Sequence, residues 1–194
     1  MSGSTTHDAR TLDSLRRRMV AMHSLYDDAL ATMDESHVNH QEKDGVLPIA
    51  FSLFHYANMH DASFMLLTGQ PPIWSDEWQG RVQPAIADHG KHRTVDEMTA
   101  QRIGDLGAFR DYIRAVFDRT EAWLTTLTPS DLDRIVIPRP FPPQIASTFS
   151  ARVANDDGIS LLDGIECWLY QHGLRHMGEI ELARSFVGLQ GMTS

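Results

Sequence analysis

Only one cysteine, Cys167, occurs in the 194 residues. That excludes an intramolecular disulfide and fits a reducing cytoplasm. Long hydrophobic runs are missing as well. No stretch reaches the roughly 18 apolar residues of a membrane-spanning helix, so no membrane is expected as a partner. Positive charge is in short supply: 17 basic residues face 26 acidic ones, for a net charge of −9. The one basic cluster, Arg16-Arg17-Arg18, lies in a helical pattern and reads as a solvated face. Nucleic acid binding needs a concentrated positive surface, so nucleic acid is not an expected partner. The start of the chain, Met1-Ser2-Gly3-Ser4-Thr5-Thr6, lacks the charged-then-apolar pattern of a signal peptide. Residues 1–10 are expected to form a disordered tail.

The remaining residues, 11–190, are enough for one domain with a sizeable core. Apolar positions with three-and-four spacing dominate, and strand-like alternation is nearly absent. A first helix is expected from a cap at Asp8 or Thr11 to about Met33, burying Leu12, Leu15, Met19, Met22, Tyr26, Ala29, Leu30 and Met33. Pro48 suits the first turn of a second helix, which Gly69 and Pro71-Pro72 end near Thr68. Residues 69 to 93 read as an irregular segment, a candidate lid. Thr94-Val95-Asp96-Glu97 is a capping box. A long amphipathic helix then runs through Leu106, Phe109, Ile113, Val116, Phe117, Thr120, Leu124 and Leu127. Four prolines between Ile135 and Phe149 interrupt any helix, leaving Ile135-Val136-Ile137 as a short, isolated extended piece. A last helix is expected from a cap at Asp157 or Ser160 to about Val187. Four long helices with elaborated connections predict an all-α four-helix bundle.

The chemistry concentrates in Gln171-His172-Gly173-Leu174-Arg175-His176-Met177-Gly178-Glu179. Residues four apart on a helix differ by about 40° in direction and about 6 Å in height. His172 and His176 therefore leave the same face, close enough to hold one metal ion. His55 lies on the inner stripe of the second helix, with Phe51, Asn58, Met59, Ala62 and Leu66. Three imidazoles from two helices would leave a divalent ion with open positions, the layout of a working metal. On the same stripe as the pair fall Trp168, at about −40° from His172, and Glu179, at about −20°. Glu179 could orient an imidazole, act as a general base, or supply a further oxygen ligand. Gly173 and Gly178 each cost up to about 1 kcal/mol in a helix, which close approach of a neighbour would explain.

Against this stands the ordinary role of a core histidine satisfied by hydrogen bonds. His60 falls about 140° round the helix from His55 and is expected to face elsewhere. His37, His40, His89 and His92 sit in loops, where solvation is the default. His23, in the first helix, is a minor candidate for the bundle site. Cys167, about 140° from His172, reads as a buried small residue, neither ligand nor nucleophile.

The segments Ser52 to Ala62 and His172 to Ile180 resemble the DinB-like (YfiT-like) family of four-helix metal-binding proteins. Members similarly place one histidine in an apolar second helix and a His-x-x-x-His-x-Gly-Gln/Glu pattern in the last. The resemblance implies that His55, His172 and His176 ligate a divalent metal, with waters completing its coordination. Glu179 stands where many relatives have glutamine. Relatives include thiol-dependent S-transferases and isomerases, so a metalloenzyme acting on a small-molecule substrate with a low-molecular-weight thiol is implied. Zinc is the expected ion for such transfer or hydrolysis, with nickel and iron as alternatives. A homodimer is expected, because exposed apolar faces of such bundles often pair. The competing expectations are a non-enzymatic metal-binding stress-response bundle and a helical interaction module with core histidines.

Overall fold

The computed structural model describes residues 2–192. Four long helices form the body: Ser2–Ala31, Ile49–Thr68, Leu106–Thr126, and a last helix in three consecutive pieces, Leu161–Gly164, Ile165–Tyr170 and Gln171–Phe186. Leu12, Leu15, Met19, Met22, Tyr26, Ala29 and Leu30 of the first helix are buried, as is Met33 just beyond its end, and so are Leu106, Phe109, Ile113, Val116, Phe117 and Leu124 of the third. Full burial of a large apolar side chain stabilises by about 1.5–3 kcal/mol, so these two stripes dictate which faces turn inward. The first helix begins further back than its expected cap. Ser4 to Arg10 contains neither glycine nor proline, so nothing interrupts the ladder, and the tail expected over 1–10 is helical from Ser2.

The second helix is the centre of the bundle. It is capped by Pro48 and stopped by Gly69 in the left-handed conformation, at φ 76°. Burial runs all round it rather than along one stripe, taking in Leu53, Phe54, Tyr56, Ala57 and Phe64 together with the polar Asn58, His60 and Asp61. A helix that is apolar all round is a core helix. Leu66, expected on the inner stripe, is instead 47% exposed.

The connections are more ordered than their composition suggests. Ser75 caps a short helix, Asp76–Val82, inside the irregular segment. Asp61 fixes the approach to it, accepting from the backbone N–H of Ile73 at 2.9 Å and of Trp74 at 2.8 Å, from Tyr112 Oη at 3.2 Å, and from Arg119. Thr94 and Glu97 form the expected capping box on Val95–Met98. The Ile135 region is not isolated. Ile135–Pro138 pairs antiparallel with Gly158–Ser160, with Ile135 opposite Ser160 and Pro138 opposite Gly158. A three-residue strand is too short to show alternation, so the pairing leaves no signal in the sequence. The ribbon brings both ends of the proline-rich segment together, and two short helices, Pro143–Ala146 and Phe149–Val153, lie between them. Ser160 then caps the last helix with a reciprocal Asp163 bond.

Candidate metal centre

The last helix reaches the histidines through a π-helical stretch, Ile165–Tyr170, in which bonds run i→i+5. Residues five apart come into register there, so Cys167 and His172 open onto the same cavity, contrary to the 140° separation of a regular helix. Nothing in the residue types marks this shift.

Beyond it, the helix lies against the second through Gly173. A Cβ built there would sit 2.6 Å from Tyr56 Oη and would also meet the Met22 sulfur. Tyr26 Oη donates to the Gly173 carbonyl at 2.8 Å. Close approach thus explains this glycine, whereas the space around Gly178 is open and nothing in the structure explains it.

That approach brings His55, His172 and His176 together. Ring centroids lie 5.4 Å apart for His55 and His172, 4.9 Å for His55 and His176, and 4.6 Å for His172 and His176. One nitrogen from each falls within 4.8 Å of the others, the one metal-ligand cluster found among the described residues. The Nε2 atoms of His172 and His176 are 2.9 Å apart. Two of the rings are held from behind. His55 Nδ1 donates to the His89 carbonyl, and His176 Nδ1 donates to Glu179 Oε2 at 2.7 Å. Glu179 is fixed in turn by Ser52 Oγ, which donates to Oε2 at 3.0 Å. With Nδ1 of His55 and His176 engaged outward, their Nε2 lone pairs face the shared space, the tautomer a metal requires.

Electrostatics favour the same state. Burial, then the neighbouring imidazoles, pushes His172 down to about 2 and leaves it neutral. Burial likewise pushes His55 down to about 4. Neutral imidazoles are the ligating form. Nitrogens about 2.0–2.1 Å from a tetrahedral zinc lie about 3.4 Å apart, so the cluster, with its atoms within 4.8 Å of one another, would close up modestly around such an ion.

His55 and His172 form the floor of a cavity of about 290 Å³. Met59, Leu66, Trp168, Ile145 and Phe149 give it apolar walls, while Lys91 and Arg175 stand at its rim. The proline-rich connection thus supplies one wall, and the segment expected as a lid supplies only Lys91. Trp74 and Trp78 pack instead on Tyr112. Glu179 does not line this cavity; it stands behind His176. Cys167 does line it, but burial pushes its thiol up to about 11, so it is protonated at neutral pH.

His23 and His60 do not join the cluster. Both are fully buried elsewhere in the core. His60 bonds Tyr56 Oη at 3.0 Å and Thr120 Oγ1 at 2.9 Å, while His23 bonds Glu121 at 2.7 Å and stacks on Phe117. Sequence reasoning also missed the part played by His89, since a backbone carbonyl carries no signature in residue type.

A four-helix body with three convergent histidines defines a helical protein with a candidate metal site. The family model described as DinB superfamily matches residues 18–180, and the chain belongs to that superfamily. Its fold is also similar to the crystal structure of a conserved protein from Enterococcus faecalis. The TM-score is 0.63 at 17% identity, over 94% of this chain and 96% of that one. No curated protein matches the sequence.

Proposed function

We propose that the chain is a metalloenzyme which holds a divalent ion on His55, His172 and His176 and acts on a small molecule in the cavity above them. The observation that carries this reading is the convergence of three imidazoles, those of His55 and His176 held from behind, on one open-sided space. A metal bound there would lower the pKa of a thiol or water and so supply a nucleophile at neutral pH. Zinc is the ion proposed, and a low-molecular-weight thiol is the proposed co-substrate. Around it, the His89 carbonyl, Glu179 and Ser52 fix the ring orientations, and Trp168, Phe149 and Met59 exclude water. Glu179 is proposed as a positioning residue rather than a proton carrier, because it lies behind His176 and outside the cavity.

The single cysteine suits a reducing compartment such as the cytoplasm. Among the described residues, no helix is long and apolar enough to cross a membrane. A homodimer is also proposed; Leu182, 63% exposed, and Phe186, 48% exposed, offer an apolar face for it.

Elemental analysis of the untagged protein tests the centre. Near-stoichiometric metal is expected, with loss in both His55→Ala and His176→Ala. Metal retained in either variant refutes the ligand set. The second reading, a metal that only ties helices together, rests on the ligands' bridging the second and last helices. A loaded protein that takes up no thiol at its metal would favour it.

A further inference from the structure

The charge of the cavity rim differs from that of the rest of the molecule. The chain carries 26 acidic and 17 basic residues, yet the charged residues lining this cavity are Lys91 and Arg175, with no carboxylate among them. Most arginines elsewhere are engaged, with Arg10 and Arg152 as exceptions among the described residues. Arg17, Arg18, Arg81, Arg93, Arg114 and Arg119 pair with carboxylates. Arg16, Arg110, Arg134 and Arg139 bond backbone carbonyls. Among the described residues, neither the Arg175 guanidinium nor the Lys91 ammonium has a hydrogen-bond or ion-pair partner.

Their placement ties both cations to the histidines. Arg175 directly precedes His176, on the helix that carries two of the three rings. Lys91 lies two residues beyond His89, whose carbonyl holds His55. The two charges thus come from separate elements that line the same cavity, whose other lining residues are largely apolar. A guanidinium matches a carboxylate through paired N–H donors, and an ammonium adds a second positive charge.

We propose that the cavity takes small organic molecules bearing a carboxylate, with Arg175 and Lys91 as the residues that select the charge. This deepens the reading of the cavity as a substrate site and names its ligand class. The apolar part of the ligand lies against Trp168 and Phe149, and the carboxylate at the rim points its remaining groups toward the histidine floor.

Benzoate, benzamide and benzylamine share one ring and differ in charge, so they serve as probes. Their affinities are measured by NMR titration of the full chain, before and after chelation, with contacts read at the Trp168 indole. Benzoate is expected to bind about tenfold more tightly than benzamide, and benzylamine most weakly, with the preference surviving chelation. In the double variant Arg175→Gln, Lys91→Gln, benzoate should fall to the benzamide level while benzamide affinity and metal content stay unchanged. Equal affinities in the native chain, or a preference that persists in the double variant, overturn the proposal. A protein that carries no metal as isolated, and also takes up none when zinc is added, but still prefers benzoate, refutes the metal reading and leaves this one standing.

Discussion

Glu179 shows how much one side chain's position changes its meaning. Its spacing from His176 is readable in the sequence, since residues three apart share a helix face. Its role is not, because orienter, base and ligand all need the same spacing. The 2.7 Å bond to His176 Nδ1 and the Ser52 bond place it behind the ring. Partners that hold a ligating imidazole typically contribute 10–100-fold to metal affinity. Glu179→Ala is therefore expected to weaken metal binding by about that factor, measured by competition with a chromogenic chelator. Glu179→Gln retains an acceptor and should lose much less. Equal losses in the two would mean that charge, rather than orientation, is what the residue supplies. The sequence exposed the three histidines because helical phase and apolar company suffice to aim a side chain. It concealed the His89 carbonyl and the buried bonds of His60, which depend on chain segments distant in sequence.

At the scale of the elements, periodicity recovered what periodicity encodes. The first and third helices show one apolar stripe each, and those stripes are the buried ones. The second helix lacks a clear stripe because it is enclosed on every side, so its orientation had to come from packing. The contact at Gly173 sets how near the last helix can come to it. A methyl group there would meet Tyr56 Oη and the Met22 sulfur. Gly173→Ala is expected to destabilise by about 1–3 kcal/mol through overpacking and to pull His172 out of line with His55. Chemical denaturation measures the first effect and metal stoichiometry the second. Gly178→Ala, which faces open space, should be neutral or stabilising.

For the whole molecule, histidines whose pKa is lowered by burial couple folding to pH. Burial lowers the pKa of His23, His55, His60 and His172, so all four are neutral when folded. In the unfolded chain each titrates near the usual value of about 6.5. Below that value the unfolded state binds more protons than the folded one, so stability falls with pH. The metal-free protein should hold a nearly constant melting temperature between about pH 7 and pH 8 and lose stability steadily from about pH 6.5 downward, toward the depressed values of about 4 for His55 and about 2 for His172. Calorimetry across that range tests the sign; a melting temperature that rises on acidification would contradict it. Bound metal adds its own linkage, about 2.7 kcal/mol at one hundred times Kd, and opposes the loss as long as the imidazoles stay ligated. The bundle class was legible because four apolar periodic segments admit few other packings. The wall built by the proline-rich connection was not, because the pairing that closes it involves only three residues of its second strand.

The π-helical stretch separates the length of the last helix from its direction. A π turn accommodates one residue more than an α turn, so Leu161 before it, Ile165 at its start and His176 after it all remain in the core. Removing one residue between Ile165 and Tyr170 should let that turn relax to α-helix while the three-histidine cluster keeps its aim, and such a shortened chain is expected to retain metal. Removing Leu174 instead would swing His176 by about 100° relative to His172, from about +40° to about −60°, and turn Glu179 with it, so metal retention should fall sharply. The fold therefore tolerates a change of length one turn before its histidines and tolerates none between them.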